Sequence, residues 1–252
     1  MGSTQASVVV VGCGNAALCA ALAAEENGAR RVTVLERAPQ AESGGNSRFT
    51  AGAIRFAYSG LDDLLELMPD LSANDIATTD FGTYTEAQYF DDMYEVTHYR
   101  CDPDLVECLV RRSKDTLLWM RDKGVRFIPI YGRQAFKIDG RFTFWGGLTV
   151  ESVGGGPGLV DSLIRACLKR GIEIQYDTRA VELAFDGKHV TGVVVRRGGE
   201  RPETLSADAL VLACGGFEAN PEWRTRYLGP GWEIAKVRGT RFNTGDGIRM
   251  AL

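Results

Sequence analysis

The sequence predicts an α/β chain: a central parallel sheet with flanking helices and a β-meander, interrupted by a mainly helical insertion. Three observations predict it. Four β-branched residues, Val8 to Val11, turn through Gly12-Cys13-Gly14 into an Ala/Leu-rich helical segment and a second apolar strand. The same succession of strand, glycine turn and helix returns after residue 148. Between the two lies a stretch with helical periodicity and capping signals. The expected division is 1–56, 57–147 and 148–252, the outer two segments forming one domain.

The opening unit is the most informative. The strand runs into Gly12 and Gly14, the helix runs from Asn15 to Glu26, and the strand Val32–Leu35 ends on Glu36. Gly12 allows a sharp turn out of the strand. Gly14 lacks the Cβ that would keep a pyrophosphate from the backbone and the helix N-terminus. The third small position is Ala17, which still lets helix and strand approach closely. Glu36 can accept hydrogen bonds from both hydroxyls of an adenosine ribose, and its charge repels a 2′-phosphate. Strand, turn, helix and acid together make a Rossmann-like dinucleotide-binding fingerprint. On its own it serves NAD as well as FAD.

Composition excludes several other classes. The chain has 252 residues, 44% hydrophobic and 25% charged, with 29 basic and 33 acidic residues and a formal net charge of -4. Neither sign forms long runs, which argues against nucleic acid or an anionic membrane as partner. No apolar run approaches the roughly 20 residues of a membrane span, and the N-terminus lacks the zones of a signal peptide. Met1-Gly2 is no myristoylation signal, because position 6 is Ala. A cytoplasmic location is expected. Six cysteines (13, 19, 101, 108, 167 and 214) without a CxxC pair, and only two histidines, argue against zinc or a disulfide framework; small buried thiols are expected.

After Glu36 and Arg37 a polar stretch leads to Gly44-Gly45-Asn46-Ser47-Arg48-Phe49-Thr50-Ala51-Gly52. Two glycines, Asn-Ser and small residues suit a backbone passing close to a flat, bulky cofactor. In the insertion, Leu64, Leu65, Leu67 and Met68 suggest a short helix. Thr85-Glu-Ala-Gln88 is a capping box opening a helix whose Tyr89, Phe90, Met93 and Tyr94 read as core. A stronger helix starts at Asp102-Pro103 and stops at Gly124. Asp139-Gly140 signals a hairpin, and Arg133, Lys137, Arg141 and Trp145 make it cationic and aromatic, which suits a solvated hairpin better than a lid over an anion.

From Gly154 the α/β pattern resumes. Gly154-Gly-Gly-Pro-Gly158 precedes a helix closed by Gly171. Strands follow at Ile172–Tyr176, Ala180–Phe185 and His189–Arg197, with His189 exposed beside a turn. The buried strand Ala209–Ala213 runs into Cys214-Gly215-Gly216, a second strand-to-glycine turn. The last segment, with Thr244-Gly245-Asp246-Gly247, opens a helix that has barely begun at Leu252, so a truncated reading frame is expected.

In order, GCGNAAL, Glu36, GGNSRFTAG, GGGPGLVDSL, ACGGFEANP and TGDGIRMA resemble the FAD-binding half of the fumarate reductase and succinate dehydrogenase flavoprotein superfamily. GNAALCAAL and GGNSR are most similar to its tricarballylate dehydrogenase branch, whose members oxidise tricarballylate to cis-aconitate. The resemblance covers nearly the whole chain. It implies that Gly12, Gly14, Asn15, Ala16 and Ala17 hold the pyrophosphate turn, and that Glu36, with Arg37 beside it, binds the adenosine ribose. Gly44, Gly45, Asn46, Ser47, Thr50, Ala51 and Gly52 would wrap the flavin side. Ala180 and Val181 would face the adenine through backbone groups, Ala213, Gly215 and Gly216 the pyrophosphate, and Thr244, Gly245 and Asp246 the ribityl or flavin end. Arg48 stands where succinate dehydrogenases carry the histidine that links to FAD, which implies noncovalent FAD. Ala17, Ala53 and Cys214 depart from the family's usual residues and are all small.

The implied chemistry is hydride transfer to flavin N5 from a carbon next to a carboxylate, with a base removing the neighbouring proton. A small carboxylate substrate and an electron acceptor of unknown identity follow from the resemblance. The capping domain and its substrate-binding arginines and histidines would lie beyond Leu252, so no catalytic residue is assigned. The alternatives are an FAD-dependent 3-ketosteroid dehydrogenase-like enzyme and a non-catalytic FAD-binding module.

Overall fold

A computed structural model describes residues 7–252. Gly2 and Ala6, which bear on the myristoylation reading, lie outside the described residues. In chain order the elements of the first stretch are β1 (Ser7–Val11), α1 (Asn15–Glu26), β2 (Arg31–Leu35) and two short 3-10 turns. Next come β3 (Ala53–Ile54), α2 (Leu61–Leu67), α3 (Ala73–Thr78), β4 (Thr79–Asp80), α4 (Glu86–Val96) and α5 (Pro103–Asp122). These are followed by β5 (Phe127–Pro129), α6 (Tyr131–Gln134), β6 (Ala135–Ile138), β7 (Arg141–Phe144) and β8 (Val150–Ser152). The last stretch holds α7 (Gly155–Lys169), β9 (Glu173–Gln175), β10 (Thr178–Phe185), β11 (Val190–Arg197), β12 (Glu203–Ser206), β13 (Ala209–Leu212), α8 (Pro221–Leu228) and α9 (Asp246–Ala251).

The chain forms two compact units, one of residues 7–50 and 159–252, the other of residues 51–158. The first is built on a parallel sheet of order β13-β1-β2-β9. β1 is central, with Val10 in register with Val34 on one side and Val211 on the other. Apolar runs such as Val8–Val11 suit parallel strands covered on both faces. Ala17, Leu18, Ala21 and Leu22 of α1, and Leu159, Val160, Leu163 and Cys167 of α7, are all buried, and the Cys167 thiol donates to the Leu18 carbonyl at 3.8 Å. The meander β10-β11-β12 closes a second core, in which Val9, Val11 and Leu35 meet Ala180, Val193 and Val195. Each fully buried branched side chain of this kind contributes ~1.5–3 kcal/mol.

The second unit carries its longest helix, α5, on a full set of end signals. The Asp102 side chain accepts from the Asp104 and Leu105 backbone, and Pro103 is the first helical residue. The Thr85–Gln88 capping box opens α4 as the sequence predicts. A further box, Ser72–Asp75, opens α3. β6 and β7 pair through Asp139-Gly140, both at positive φ, the geometry of a type I′ turn.

Several expectations are corrected. The insertion also contains two three-stranded sheets, β3-β8-β5 and β4-β7-β6, whose strands of two to four residues are too short to show alternation. Because β3 pairs with β8, the division between units falls at residues 51 and 158. In α4 only Tyr89 is buried, while Phe90, Met93 and Tyr94 are half-exposed. Helix α7 starts at Gly155, inside the glycine run, since Pro157 is tolerated in a first turn that needs no N–H donor. β12 is polar and gave no apolar signal. Cys13 and Cys167 are buried, but Cys108 is exposed and the other three thiols are half-buried. Among the described residues no helix is long and apolar enough to cross a membrane, and no group of three or more His, Cys, Asp or Glu side chains could hold a metal ion.

Candidate functional site

A cleft of about 250 Å³ opens in the first unit where β1, β2 and β13 end. Its floor is the turn between β1 and α1. The Gly12 amide donates to the Leu35 carbonyl at 2.8 Å, and a Cβ on Gly12 would lie 2.3 Å from the Ala213 carbonyl oxygen. With φ at +115° as well, this position accepts glycine alone. Gly14 caps α1 in an extended conformation without a side-chain bond, and Asn15 and Ala16 follow it along the cleft wall. The start of this helix therefore presents backbone amides and a partial positive charge to the cleft. Ala17 is fully buried beneath it and packs rather than lines.

Glu36 sits at the tip of β2, nearly buried, with Oε1 accepting from the Ala38 amide at 2.8 Å. Burial raises its pKa; the backbone amides of Ala38, Arg37 and Cys13 and the Arg37 charge oppose that rise without cancelling it. Ala180 lines the same end, buried. The pairing of β10 with β11 steps from Ala180–Val195 to Glu182–Val194, so Val181 sits in a β-bulge and has no cross-strand partner in the register. A bulge of this kind leaves backbone groups available to a ligand.

The opposite wall is the loop 42–47. The Ser47 hydroxyl accepts from the Asn15 amide at 3.0 Å and lies 3.3 Å from where a Gly14 Cβ would be. The Asn46 carboxamide oxygen accepts from the Thr240 amide at 2.9 Å. Gly45 lines the cleft beside them, while Gly44 packs against Val160 and Arg48. Thr50 closes the turn by donating to the Ser47 carbonyl at 2.9 Å. Ala51 and Gly52 belong to the second unit, where the Gly52 backbone packs against Ser152 and Gly155.

Ala213 and Gly215 line the cleft from the β13 side. Gly216 does not line it; its carbonyl accepts from the Gly245 amide at 3.1 Å. Thr244 and Asp246 also stand behind the wall, as anchors. Arg37 donates through Nη1 to the Phe242 carbonyl, to Thr244 Oγ1 at 2.6 Å and to Asp246 Oδ2 at 2.8 Å. Burial pushes the Asp246 pKa up, but Arg179, Arg37 and Arg249 outweigh it and hold the carboxyl below the usual range.

The structure thus gathers Gly12, Gly14, Asn15, Ala16, Glu36, Arg37, Gly45, Asn46, Ser47, Ala180, Ala213 and Gly215 around one cleft. Ala17, Gly44, Thr50, Ala51, Gly52, Val181, Gly216, Thr244, Gly245 and Asp246 are not in its lining. Sequence reasoning missed Thr178, Thr240, Phe242 and Asn243, which line it, and Arg179, which braces it. None of these carries a motif; the sole pointer to Arg179 is its place beside Ala180. A narrow cleft with a helix start at its floor, a buried carboxylate at one end and a bulged strand beside that acid fits a dinucleotide cofactor.

Comparison with known proteins agrees. Over 254 residues the chain is 28% identical to a probable fumarate reductase of Shewanella frigidimarina, covering 99% of this chain and 38% of that protein. It is 32% identical over 124 residues to a 3-oxosteroid 1-dehydrogenase of Mycobacterium tuberculosis, covering 47% of this chain and 22% of that one. Among solved structures, the open conformation of a flavocytochrome c3 fumarate reductase superposes with a TM-score of 0.74 at 26% identity, over 99% of this chain and 40% of the other. The chain therefore spans about two fifths of the length of these fumarate reductases. Residues 7–252 match the family model described as FAD binding domain. The chain belongs to this FAD-binding domain family, within the fumarate reductase and succinate dehydrogenase flavoproteins, and its cofactor is FAD.

Proposed function

We propose that the chain is the FAD-binding portion of a dehydrogenase or reductase acting on a small di- or tricarboxylate, such as tricarballylate and cis-aconitate, with FAD held noncovalently. The observation that carries this reading is the cleft in which the Gly12 turn, the Glu36 carboxylate and the Ala180 end of β10 converge. When bound, FAD supplies the two-electron acceptor. The chain's own groups orient it: the Ala16 amide at the start of α1 receives the pyrophosphate, Glu36 the ribose hydroxyls and the backbone at Ala180 and Val181 the adenine edge. Gly45 to Ser47 shield the flavin side.

Support for a carboxylate comes from likeness to fumarate reductases over nearly the whole chain, and support for the tricarballylate branch from GNAALCAAL and GGNSR. Noncovalent binding is supported by Arg48, whose Nε donates to the Ser43 carbonyl at 2.7 Å and Nη2 to Asp161 at 2.8 Å. A guanidinium so committed has no nucleophile to offer a flavin. A second reading, a 3-ketosteroid dehydrogenase-like enzyme, is favoured by the higher identity over the shorter match.

Acid precipitation of the FAD-loaded chain should leave all flavin in the supernatant, and tricarballylate or fumarate, not a 3-ketosteroid, should perturb the bound flavin spectrum. Flavin retained in the pellet would contradict noncovalent binding. A response to the steroid alone would favour the second reading.

A further inference from the structure

The second unit holds a separate open cavity of about 380 Å³ that shares no residue with the cofactor cleft. Arg55 lies on its wall with a third of its side chain exposed. All the hydrogen bonds this arginine makes among the described residues leave from Nη1: to Tyr84 Oη at 3.0 Å, to Asp92 Oδ2 at 3.0 Å, and to the Gly146 carbonyl. The Nε–Nη2 edge therefore has no protein partner there. That edge is the flat two-donor fork that matches a carboxylate.

The fork is held rigidly. Tyr84, only 2% exposed, donates to the same Asp92 oxygen at 2.6 Å and lies under the guanidinium at 5.1 Å. Gly147, at φ +73°, seats this ring, since a Cβ there would lie 2.2 Å from it. Asp92 is thus neutralised by Arg55 and satisfied by Tyr84. On the same wall, the Gln88 carboxamide oxygen is committed to capping α4, accepting from the Thr85 amide at 2.8 Å, which leaves its Nε2 donor without a partner among the described residues. Trp145, 66% exposed, adds an aromatic face. The one unpaired acceptor charge on the wall is the exposed Asp91.

We infer that this cavity is a carboxylate-binding site: the Nε–Nη2 edge of Arg55 grips the carboxylate in two parallel hydrogen bonds, Gln88 Nε2 supplies a third donor, and Trp145 covers the carbon skeleton. The ligand class is the di- or tricarboxylate of the proposed function, and the inference rests on that reading. Asp91 opposes the ligand's remaining charge and sets an upper limit on affinity.

The test uses the full FAD-loaded chain and tricarballylate, with tryptophan emission and the flavin spectrum read in one titration and Trp145→Phe identifying the Trp145 signal. Tricarballylate should change Trp145 emission saturably. Arg55→Gln, and Arg55→Lys, which keeps the charge but not the fork, should each weaken binding at least about tenfold. Asp91→Asn, which touches none of the Arg55 bonds, should tighten it a few-fold. Arg55 variants that melt as the wild type does and bind unchanged, or an Asp91→Asn that binds more weakly, overturn the site. If the flavin spectrum still responds to tricarballylate in those samples, the carboxylate reading stands without it. No response of either signal in the wild type overturns both.

Discussion

Arg179 holds Asp246 through one edge of its guanidinium, Nε and Nη2 each 2.9 Å from a different carboxylate oxygen. This joins the edge of the meander to the start of α9, and Arg37 adds a third bond from the tip of β2. One carboxylate thus ties together three segments distant in sequence. Asp246→Asn should cost roughly 1.5–3 kcal/mol, the range for hydrogen bonds to charged groups, read as a loss of chemical stability. The folded-state pKa of Asp246 lies below its unfolded value, so its stabilisation is present above the ordinary carboxylate range and is lost as pH falls through the folded value. Acid unfolding should accordingly be shallower in the asparagine variant, and identical acid limbs would remove this role.

The two glycines of the opening turn should behave differently. Gly12→Ala places a methyl group 2.3 Å from a backbone oxygen at a positive φ, and should cost at least ~1–3 kcal/mol of stability as well as FAD binding. Gly14 has an ordinary φ of -81°, and a Cβ there would press on Ser47 Oγ at 3.3 Å, a contact relieved if the hydroxyl gives by a few tenths of an ångström. Gly14→Ala should melt near the wild type and bind FAD more weakly. Thermal melts and FAD titrations of the pair separate fold from ligand approach.

Burial raises Glu36 above its ordinary value of 4.5, so the free protein takes up a proton there sooner than an exposed glutamate would. Ribose hydroxyl donors favour the carboxylate, so FAD binding drives that proton off. Affinity should fall as pH drops through the raised value and level off above it. In Glu36→Gln this slope should vanish; a slope that persists places the titrating group elsewhere.

Burial pushes the thiols of Cys13, Cys19 and Cys167 up to about 12. They should resist iodoacetamide at pH 8, while exposed Cys108 is labelled first. Peptide mapping before and after denaturation checks the order.

What was legible in the sequence follows from where the physics is local. The β1–α1–β2 unit could be read because apolar strands, a glycine turn and a carboxylate lie close together in the chain. The caps at Thr85 and Asp102 could be read for the same reason. The Arg179–Asp246 bond joins positions 67 residues apart and leaves no trace in composition or period. Ala17 and Asp246 belong to the glycine motifs yet stand outside the cleft lining, since a motif marks a position without saying which way the side chain faces. The short strands of the second unit owe their existence to partners across the fold, as Ala53 does to Glu151.

The most direct measurement is FAD binding by the purified, folded chain, followed by quenching of flavin fluorescence, with Glu36→Ala alongside. The account predicts saturable binding by the wild type and a loss of at least about tenfold in affinity without the carboxylate, the cost of a hydrogen-bonded charged group. A folded wild-type chain that leaves flavin fluorescence unchanged, or a Glu36→Ala variant that binds equally well, would contradict it.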